Sequence, residues 1–297
     1  MRFMNMNKII SEYIAWKGTH APSASKSYAL WIKRFLLVCG IKKVEEYSIN
    51  DIIKYHDWMM NRYSPYTVQY ALVIIKNFFQ YCRNQNYACL QPSLIRTKRY
   101  APNSHRAIPE GEFRKITALI PTNEFRLLRD KIMIHLLWDT GVRVSELTDI
   151  NLDQISETKR SAVIRTKKTN KMRIIVWSEE THDLLLKYLP IRRELHNTNR
   201  AKSLFVGWDK SRGWSIRLTT RSVQRIIKFY ANKAGIKEKV SPHSFRHGWA
   251  HKRRDENASL AFIQRGLGHI SPVSTFTYEQ YCDVEFEKSA NSYLKAV

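Results

Sequence analysis

The sequence is poor in acidic residues and in cysteine. Its 297 residues contain 26 aspartates and glutamates against 50 lysines and arginines, which gives a formal net charge of +24 at pH 7. A compact chain with this imbalance repels itself, so the composition favours a polyanionic partner over a merely solubilising surface. The four cysteines, Cys39, Cys82, Cys89 and Cys282, show no CxxC spacing. That pattern is typical of reduced thiols in a cytoplasmic protein rather than of a disulfide framework.

Long apolar runs and targeting signals are also missing. No stretch approaches the roughly 18 uncharged apolar residues of a membrane span, and no lipidation motif is present. The N-terminal MRFMNMNKII has neither an apolar core nor a small-residue cleavage site, so it does not predict a signal peptide. We therefore expect a cytoplasmic protein that binds nucleic acid rather than an anionic membrane surface.

Residues 1–98 have the periodicity of a helical domain. Gly40 and Pro65 are expected to end one helix and to begin another. The clearest helix buries one face, formed by Tyr28, Trp31, Ile32, Phe35 and Leu36. Beyond this region the periodicity stops, and prolines alternate with basic residues. Residues 99–108 are therefore predicted to be a basic interdomain linker, which either lies along a DNA backbone or is a solvated tether.

Residues 109–297 are predicted to form a second, mostly helical domain, so the fold class is mainly α. Alternating apolar residues on both sides of Thr166–Met172 predict an antiparallel hairpin with a basic tip, and Leu152–Ile155 is a candidate third strand. Segment 196–213 is expected to be irregular, apart from a short apolar run. Helices are expected over Glu110–Ile120, Arg126–Trp138, Glu179–Tyr188 and Thr219–Ala234.

Four separate features of the second domain carry side chains suited to phosphate chemistry. They are Arg143 at a predicted helix start, the hairpin lysines Lys167, Lys168 and Lys171, the pair His243 and Arg246, and the pair His269 and Tyr278. Alone, each has an ordinary explanation, such as a surface charge, a core histidine or a packed tyrosine. His243, His247 and His251 also share a helical spacing, but they have no acidic or cysteine partner at matching spacing, so no metal site is predicted.

In their order and spacing these residues resemble the tyrosine recombinases of the phage-integrase family. The first family box is matched by TGVRVSEL at 140–147, the second by PHSFRH at 242–247 and the third by QRGLGH at 264–269. Tyr278 follows His269 at the family's usual interval. The sequence departs from the family pattern in three places. Thr169 replaces a glycine after the hairpin lysine, Val176-Trp177 stands in place of a proline after the second strand, and Gly248-Trp249 stands where a small residue and Phe are common.

The resemblance covers the whole chain and implies its architecture. An N-terminal helical core-binding domain of SAM-like fold (1–98) and a mostly helical catalytic domain with a small antiparallel sheet (109–297) would close around duplex DNA as a C-shaped clamp. Since the chain begins directly with the core-binding helices, we expect a simple recombinase that acts on short core sites.

The resemblance also implies the roles of the site residues. Arg143 and Arg246 would hold the non-bridging phosphate oxygens, His243 would act as base, and His269 would donate a hydrogen bond to the phosphate. Tyr278 would attack to give a covalent 3′-phosphotyrosyl link, with Lys168 protonating the leaving 5′-oxygen. Neither a cofactor nor a metal is expected. From its place one helical turn past Arg143, Glu146 is predicted to orient either Arg143 or His243.

Some alternatives stay open at this point. Lys167 or Lys171 could act in place of Lys168, because the glycine after the hairpin lysine is missing. Tyr281, one helical turn past Tyr278, could be the nucleophile instead. The expected function is site-specific DNA strand exchange in integration, excision or resolution. The alternatives are a non-catalytic DNA-binding protein with the same fold and DNA relaxation of the type IB topoisomerase kind.

The expected partner is double-stranded DNA with specific core sites. The family's working form is a tetramer, and the apolar stripe of Asp283–Val297 is predicted to be a final helix that docks on a neighbouring subunit rather than on its own domain. A sister recombinase or an accessory protein is a further possible partner.

Overall fold

The chain divides into two units, Met1–Asn103 and Ser104–Val297. The computed structural model describes residues 6–20, 22–98, 106–166, 170–199, 202–211 and 213–269. The division falls within segment 99–108, which the sequence predicts to be a linker. Among the described residues, no helix combines the length and apolar character needed to cross a bilayer.

The first unit consists of helices packed around an aromatic core. Ser64 caps the longest helix, because its hydroxyl accepts a hydrogen bond from the Thr67 amide at 3.4 Å, and Pro65 follows at the first helical position. The Phe35 ring meets Tyr55 edge-on at 5.3 Å in the core. The helices are α1 (Met6–His20), α2 (Pro22–Cys39), α3 (Ile49–Met60) and α4 (Pro65–Asn84).

The second unit is built around α6, most of whose residues are buried. The Phe113 ring of α5 stacks on Trp138 of α6 at 4.7 Å. The helix ends at Gly141, whose φ of 58° lies in the left-handed region that favours glycine. The described helices of this unit are α5 (Glu110–Ala118), α6 (Phe125–Thr140), α7 (Val144–Asp149), α8 (Glu179–Asn199), α9 (Thr220–Lys233), α10 (Pro242–Asp255) and α11 (Leu260–Leu267).

A three-stranded antiparallel sheet has the order β1-β2-β3. Its strands are β1 (Ile155–Ser156), β2 (Ser161–Arg165) and β3 (Met172–Val176). The hairpin β2–β3 confirms the alternation seen in the sequence, with Ala162 opposite Ile175 and Ile164 opposite Arg173. The predicted strand at Leu152–Ile155 was placed too early, because Leu152–Gln154 forms a short 3-10 turn before β1 begins.

The sequence did not predict the second sheet, a pair of antiparallel strands within residues 206–217. It consists of β4 (Val206–Asp209) and β5 (Gly213–Arg217). Trp208 and Trp214 are cross-strand partners whose rings meet at 5.5 Å. Such aromatic pairs stabilise a short hairpin even where the flanking sequence is polar, so the prediction of an irregular segment was wrong here.

Candidate active site

Arg246 is held at the centre of the second unit by two backbone carbonyls. It lies one turn into α10, which Ser241 caps by accepting a hydrogen bond from the Ser244 amide. Its Nη1 donates to the Gly141 carbonyl at 2.8 Å, and its Nη2 donates to the Leu267 carbonyl at 2.6 Å. Only 5% of the residue is exposed. These bonds fix the plane of the guanidinium between the ends of α6 and α11.

Arg143 reaches the same place from a different element. It is the N-cap residue of α7, two positions after Gly141, and 28% of its side chain is exposed. Its Nη1 donates to the Glu146 carboxylate at 3.0 Å and to the Leu267 carbonyl at 3.5 Å. Arg143 and Arg246 are 103 positions apart in the sequence, yet they share one carbonyl acceptor.

Glu146 compensates part of this positive charge. Its side chain is 1% exposed and accepts hydrogen bonds from the Arg143 amide at 2.9 Å and from Arg173 Nη2 at 2.7 Å. Burial on its own raises the pKa of the carboxyl, but Arg173 and Arg143 outweigh burial and hold the pKa below its usual value. Of its two predicted targets, Glu146 contacts Arg143. Arg173 was not singled out from the sequence.

His269 follows the left-handed turn at Gly268, where φ is 63°. Its amide donates to the Gln264 carbonyl at 3.1 Å, which ties the residue to the end of α11. Burial lowers the pKa of the imidazole to about 4, helped by the nearby charges of Arg246 and Arg143. At neutral pH the ring is therefore uncharged, with one nitrogen as donor and the other as acceptor.

The remaining predicted residues divide into described and undescribed positions. His243 lies in the first turn of α10, three residues before Arg246, and is exposed. Lys171 is exposed at the base of the hairpin tip, where its carbonyl accepts a hydrogen bond from the Thr166 amide at 2.9 Å. The others lie outside the described residues: Lys167, Lys168, Tyr278, Tyr281 and the segment Asp283–Val297.

The cluster has the charge and geometry of an oxyanion site. Arg143, Arg173 and Arg246 outnumber the one carboxylate of Glu146. A guanidinium presents its donors as a planar fork that matches phosphate oxygens, which a lysine ammonium does not. Within the described ranges, no three histidine, cysteine or acidic side chains come together in a way that would hold a metal ion.

Two protein-family models match the chain. The phage integrase family matches residues 106–285, and the phage integrase N-terminal SAM-like domain matches residues 9–88. The first match covers Arg143, Arg246 and His269 together.

Named relatives extend the similarity over most of the chain. A tyrosine recombinase XerC of Thermodesulfovibrio yellowstonii is 30% identical over 245 residues, covering 80% of this chain and 78% of the relative. A tyrosine recombinase XerD of Staphylococcus saprophyticus is 27% identical over 305 residues, covering 97% and 99%. The crystal structure of an XerH site-specific recombinase bound to palindromic difH substrate, in a post-cleavage complex, is similar in fold. Its TM-score is 0.75 and its identity 18%, covering 96% of this chain and 84% of that one.

Proposed function

This chain belongs to the phage integrase family, and we propose that it is a tyrosine-type, site-specific DNA recombinase that works through a covalent 3′-phosphotyrosyl intermediate. The observation that carries the proposal is the meeting of Arg143 and Arg246 at the Leu267 carbonyl, beside His269. Two guanidiniums and a neutral imidazole at one point form a site for a single phosphodiester.

In this proposal Arg143 and Arg246 bind the non-bridging oxygens of the scissile phosphate. The negative charge on these oxygens grows as the nucleophile attacks, and donors already fixed in place stabilise it without further reorganisation. Arg246 meets that condition through its two backbone bonds, and Arg143 through Glu146. His269, neutral at physiological pH, adds a hydrogen bond to the same phosphate.

The proposed covalent step needs four further actions. The phenol oxygen of Tyr278 forms a bond to phosphorus, and the bond from phosphorus to the deoxyribose 5′-oxygen breaks. His243 removes the phenol proton, and Lys168 protonates the leaving oxygen, with Lys167 and Lys171 as alternative donors. A 5′-hydroxyl then attacks the phosphotyrosine and releases Tyr278. The phosphotyrosyl bond keeps the energy of the phosphoester bond that breaks, so resealing needs no ATP, and no step calls for a metal cofactor.

We further propose how the chain meets its partners. Residues 1–98 and 109–297 are assigned as the core-binding and catalytic domains on duplex core sites, joined by the basic linker 99–108. The protein acts in the cytoplasm as a tetramer, with or without a sister recombinase or accessory protein. The apolar stripe of Asp283–Val297 docks on a neighbouring copy. A hollow of about 440 Å³, whose lining includes the apolar side chains Ile174, Trp249 and Phe262, supports this docking because the stripe of Asp283–Val297 is also apolar.

Adduct formation on a nicked suicide substrate tests the proposal. Cleavage of this DNA releases a short fragment and traps the covalent complex, which migrates as a protein–DNA band under denaturing conditions. We expect the wild-type chain to form the band and Tyr278→Phe to abolish it, while Tyr281→Phe leaves it in place. Loss of the adduct with Tyr281→Phe but not with Tyr278→Phe would identify Tyr281 as the nucleophile.

A binding measurement and a relaxation assay, beside the adduct assay, separate the other two functions. Sequence-specific binding with no adduct under any condition would identify a non-catalytic DNA-binding protein. Relaxation of supercoiled DNA that lacks a specific site would identify activity of the type IB topoisomerase kind.

Methionine substitutions at Lys167, Lys168 and Lys171, one at a time, assign the general acid, because only the loss of that lysine slows cleavage at the 5′-oxygen.

A further inference from the structure

Arg173 is a buried cation that the proposed chemistry leaves without a task. It lies on β3, and 9% of its side chain is exposed. Nη2 donates to the Glu146 carboxylate at 2.7 Å, and Nη1 donates to the Gly266 carbonyl at 2.6 Å. One planar group therefore joins the catalytic hairpin, α7 and the end of α11.

Each of these contacts leads to a residue of the proposed site. Through Glu146, Arg173 reaches Arg143, whose guanidinium and amide bind the same carboxylate. Through Gly266, it holds the turn that carries the Leu267 carbonyl and His269. Arg173 also lies two residues after Lys171 at the base of the hairpin tip. The hydrogen bond from the Thr166 amide to the Lys171 carbonyl closes that base.

We propose that Arg173 is a positioning residue. It fixes Arg143 and the His269 turn relative to each other and anchors the β2–β3 hairpin. The inference rests on the proposed function, because it concerns the same phosphate site.

The shape of the guanidinium is what this role requires. Its fork places two donors in fixed directions, toward Glu146 and toward Gly266, whereas the single ammonium of a lysine would face one of them at a time. The backbone is adapted to this group, because a Cβ on Gly268 would lie 2.9 Å from Arg173 Nε. In the described part of the chain Nε is buried with no acceptor, so the two Nη bonds determine the orientation of the group.

The test compares two conservative substitutions of buried arginines. Arg173→Lys removes the proposed positioning bonds. Arg192→Lys is the matched control, since Arg192 is fully buried on α8 and donates to the Ser203 and Leu204 carbonyls. For each protein we measure the Kd for core-site DNA and the single-turnover rate of adduct formation at saturating DNA, well below the melting temperature.

We expect Arg173→Lys to slow adduct formation about 10- to 100-fold, by analogy with the loss seen when a group that orients a metal ligand is removed, while its Kd stays within about threefold of the wild type. Arg192→Lys should lower the melting temperature and leave the cleavage rate of the folded protein unchanged. A wild-type rate for folded Arg173→Lys overturns the inference. If Arg173→Lys does not fold, Arg173→Gln, which keeps the Glu146 carboxylate on Arg143, replaces it with the same expectation for the rate.

A double-mutant cycle with Arg143→Lys distinguishes positioning from general stabilisation. If Arg173 acts in part through Arg143, its replacement should cost less rate in the Arg143→Lys background than in the wild type, whereas independent effects multiply. Multiplicative losses overturn the inference. Absence of any adduct with the wild-type chain refutes the proposed function itself, whereas a normal wild-type adduct with unaffected Arg173→Lys refutes the role of Arg173 alone.

Discussion

Burial and the neighbouring charges of Arg246 and Arg143 keep the imidazole of His269 neutral, with a pKa lowered from 6.5 to about 4. Because the unfolded chain binds this proton more readily, His269 contributes stability that is fully present above about pH 6.5 and is lost as pH falls towards about 4. We expect His269→Gln to flatten the decline of stability in that window, as measured by urea unfolding at a series of pH values.

The control for this prediction is the same pair of proteins above pH 7, where the side chain at position 269 is uncharged in both the wild type and His269→Gln. There the difference in unfolding free energy should not change with pH. Parallel curves for wild type and His269→Gln between pH 6.5 and 4 would show that the site does not hold the ring in its neutral form.

Single residues also show how far sequence reasoning reaches. Arg143, Arg246 and His269 were found from the spacing of three boxes, and the structure brings these residues together. Arg173 was missed because a charged residue on a short strand usually faces solvent. Its burial depends on a contact between positions 93 residues apart, with Gly266 of α11. No local pattern in β3 encodes that packing.

Between elements, the joint of α10 and α11 depends on the Trp249 ring. A Cβ on Gly266 would lie in severe overlap with this ring, and its Nε1 is held by a 2.7 Å bond to the Asp139 carbonyl. The ring also packs against Gly141, where a Cβ would meet it at 3.0 Å. Gly266→Ala should therefore lower the unfolding free energy by about 1–3 kcal/mol, the usual cost of overpacking, measured by denaturant titration.

A second helical glycine provides the matched control. Gly111 of α5 has no heavy atom within 4 Å of an added Cβ, so Gly111→Ala should be neutral or slightly stabilising. Adding Trp249→Phe, which shortens the ring, should recover part of the loss caused by Gly266→Ala. If Gly266→Ala is as stable as the wild type, the ring does not fill this joint.

Elements with strong local signals were predictable, and those formed by distant packing were not. The alternation of β2 and β3 and the turn at Gly141 follow from periodicity and from the conformational freedom of glycine. The helix α8 runs through Pro190 to Asn199, beyond its predicted end at Tyr188. Leu189 and Arg192 beyond that end are buried, so tertiary packing outweighs the local cost of proline in this helix.

At the scale of the whole molecule, the excess of basic residues extends over both units, with 50 lysines and arginines against 26 acidic residues. Each phosphate that a cation neutralises releases condensed counterions, so added salt opposes binding. With about 6–10 phosphate contacts, the affinity for duplex DNA should fall by about 10³- to 10⁵-fold between about 50 and 200 mM salt. Fluorescence anisotropy on labelled duplex measures this dependence.

The slope of that salt dependence also tests single arginines in the intact protein. Arg143 is partly exposed and is proposed to bind phosphate, so Arg143→Gln should reduce the slope of log K against log salt by about one. Arg192 carries the same charge but is fully buried, and Arg192→Gln should leave the slope unchanged because it removes no counterion-releasing contact. Equal slopes for wild type and Arg143→Gln would show that Arg143 does not contact phosphate. A reduced slope in both Arg143→Gln and Arg192→Gln would mean that net charge, rather than contact, sets the affinity.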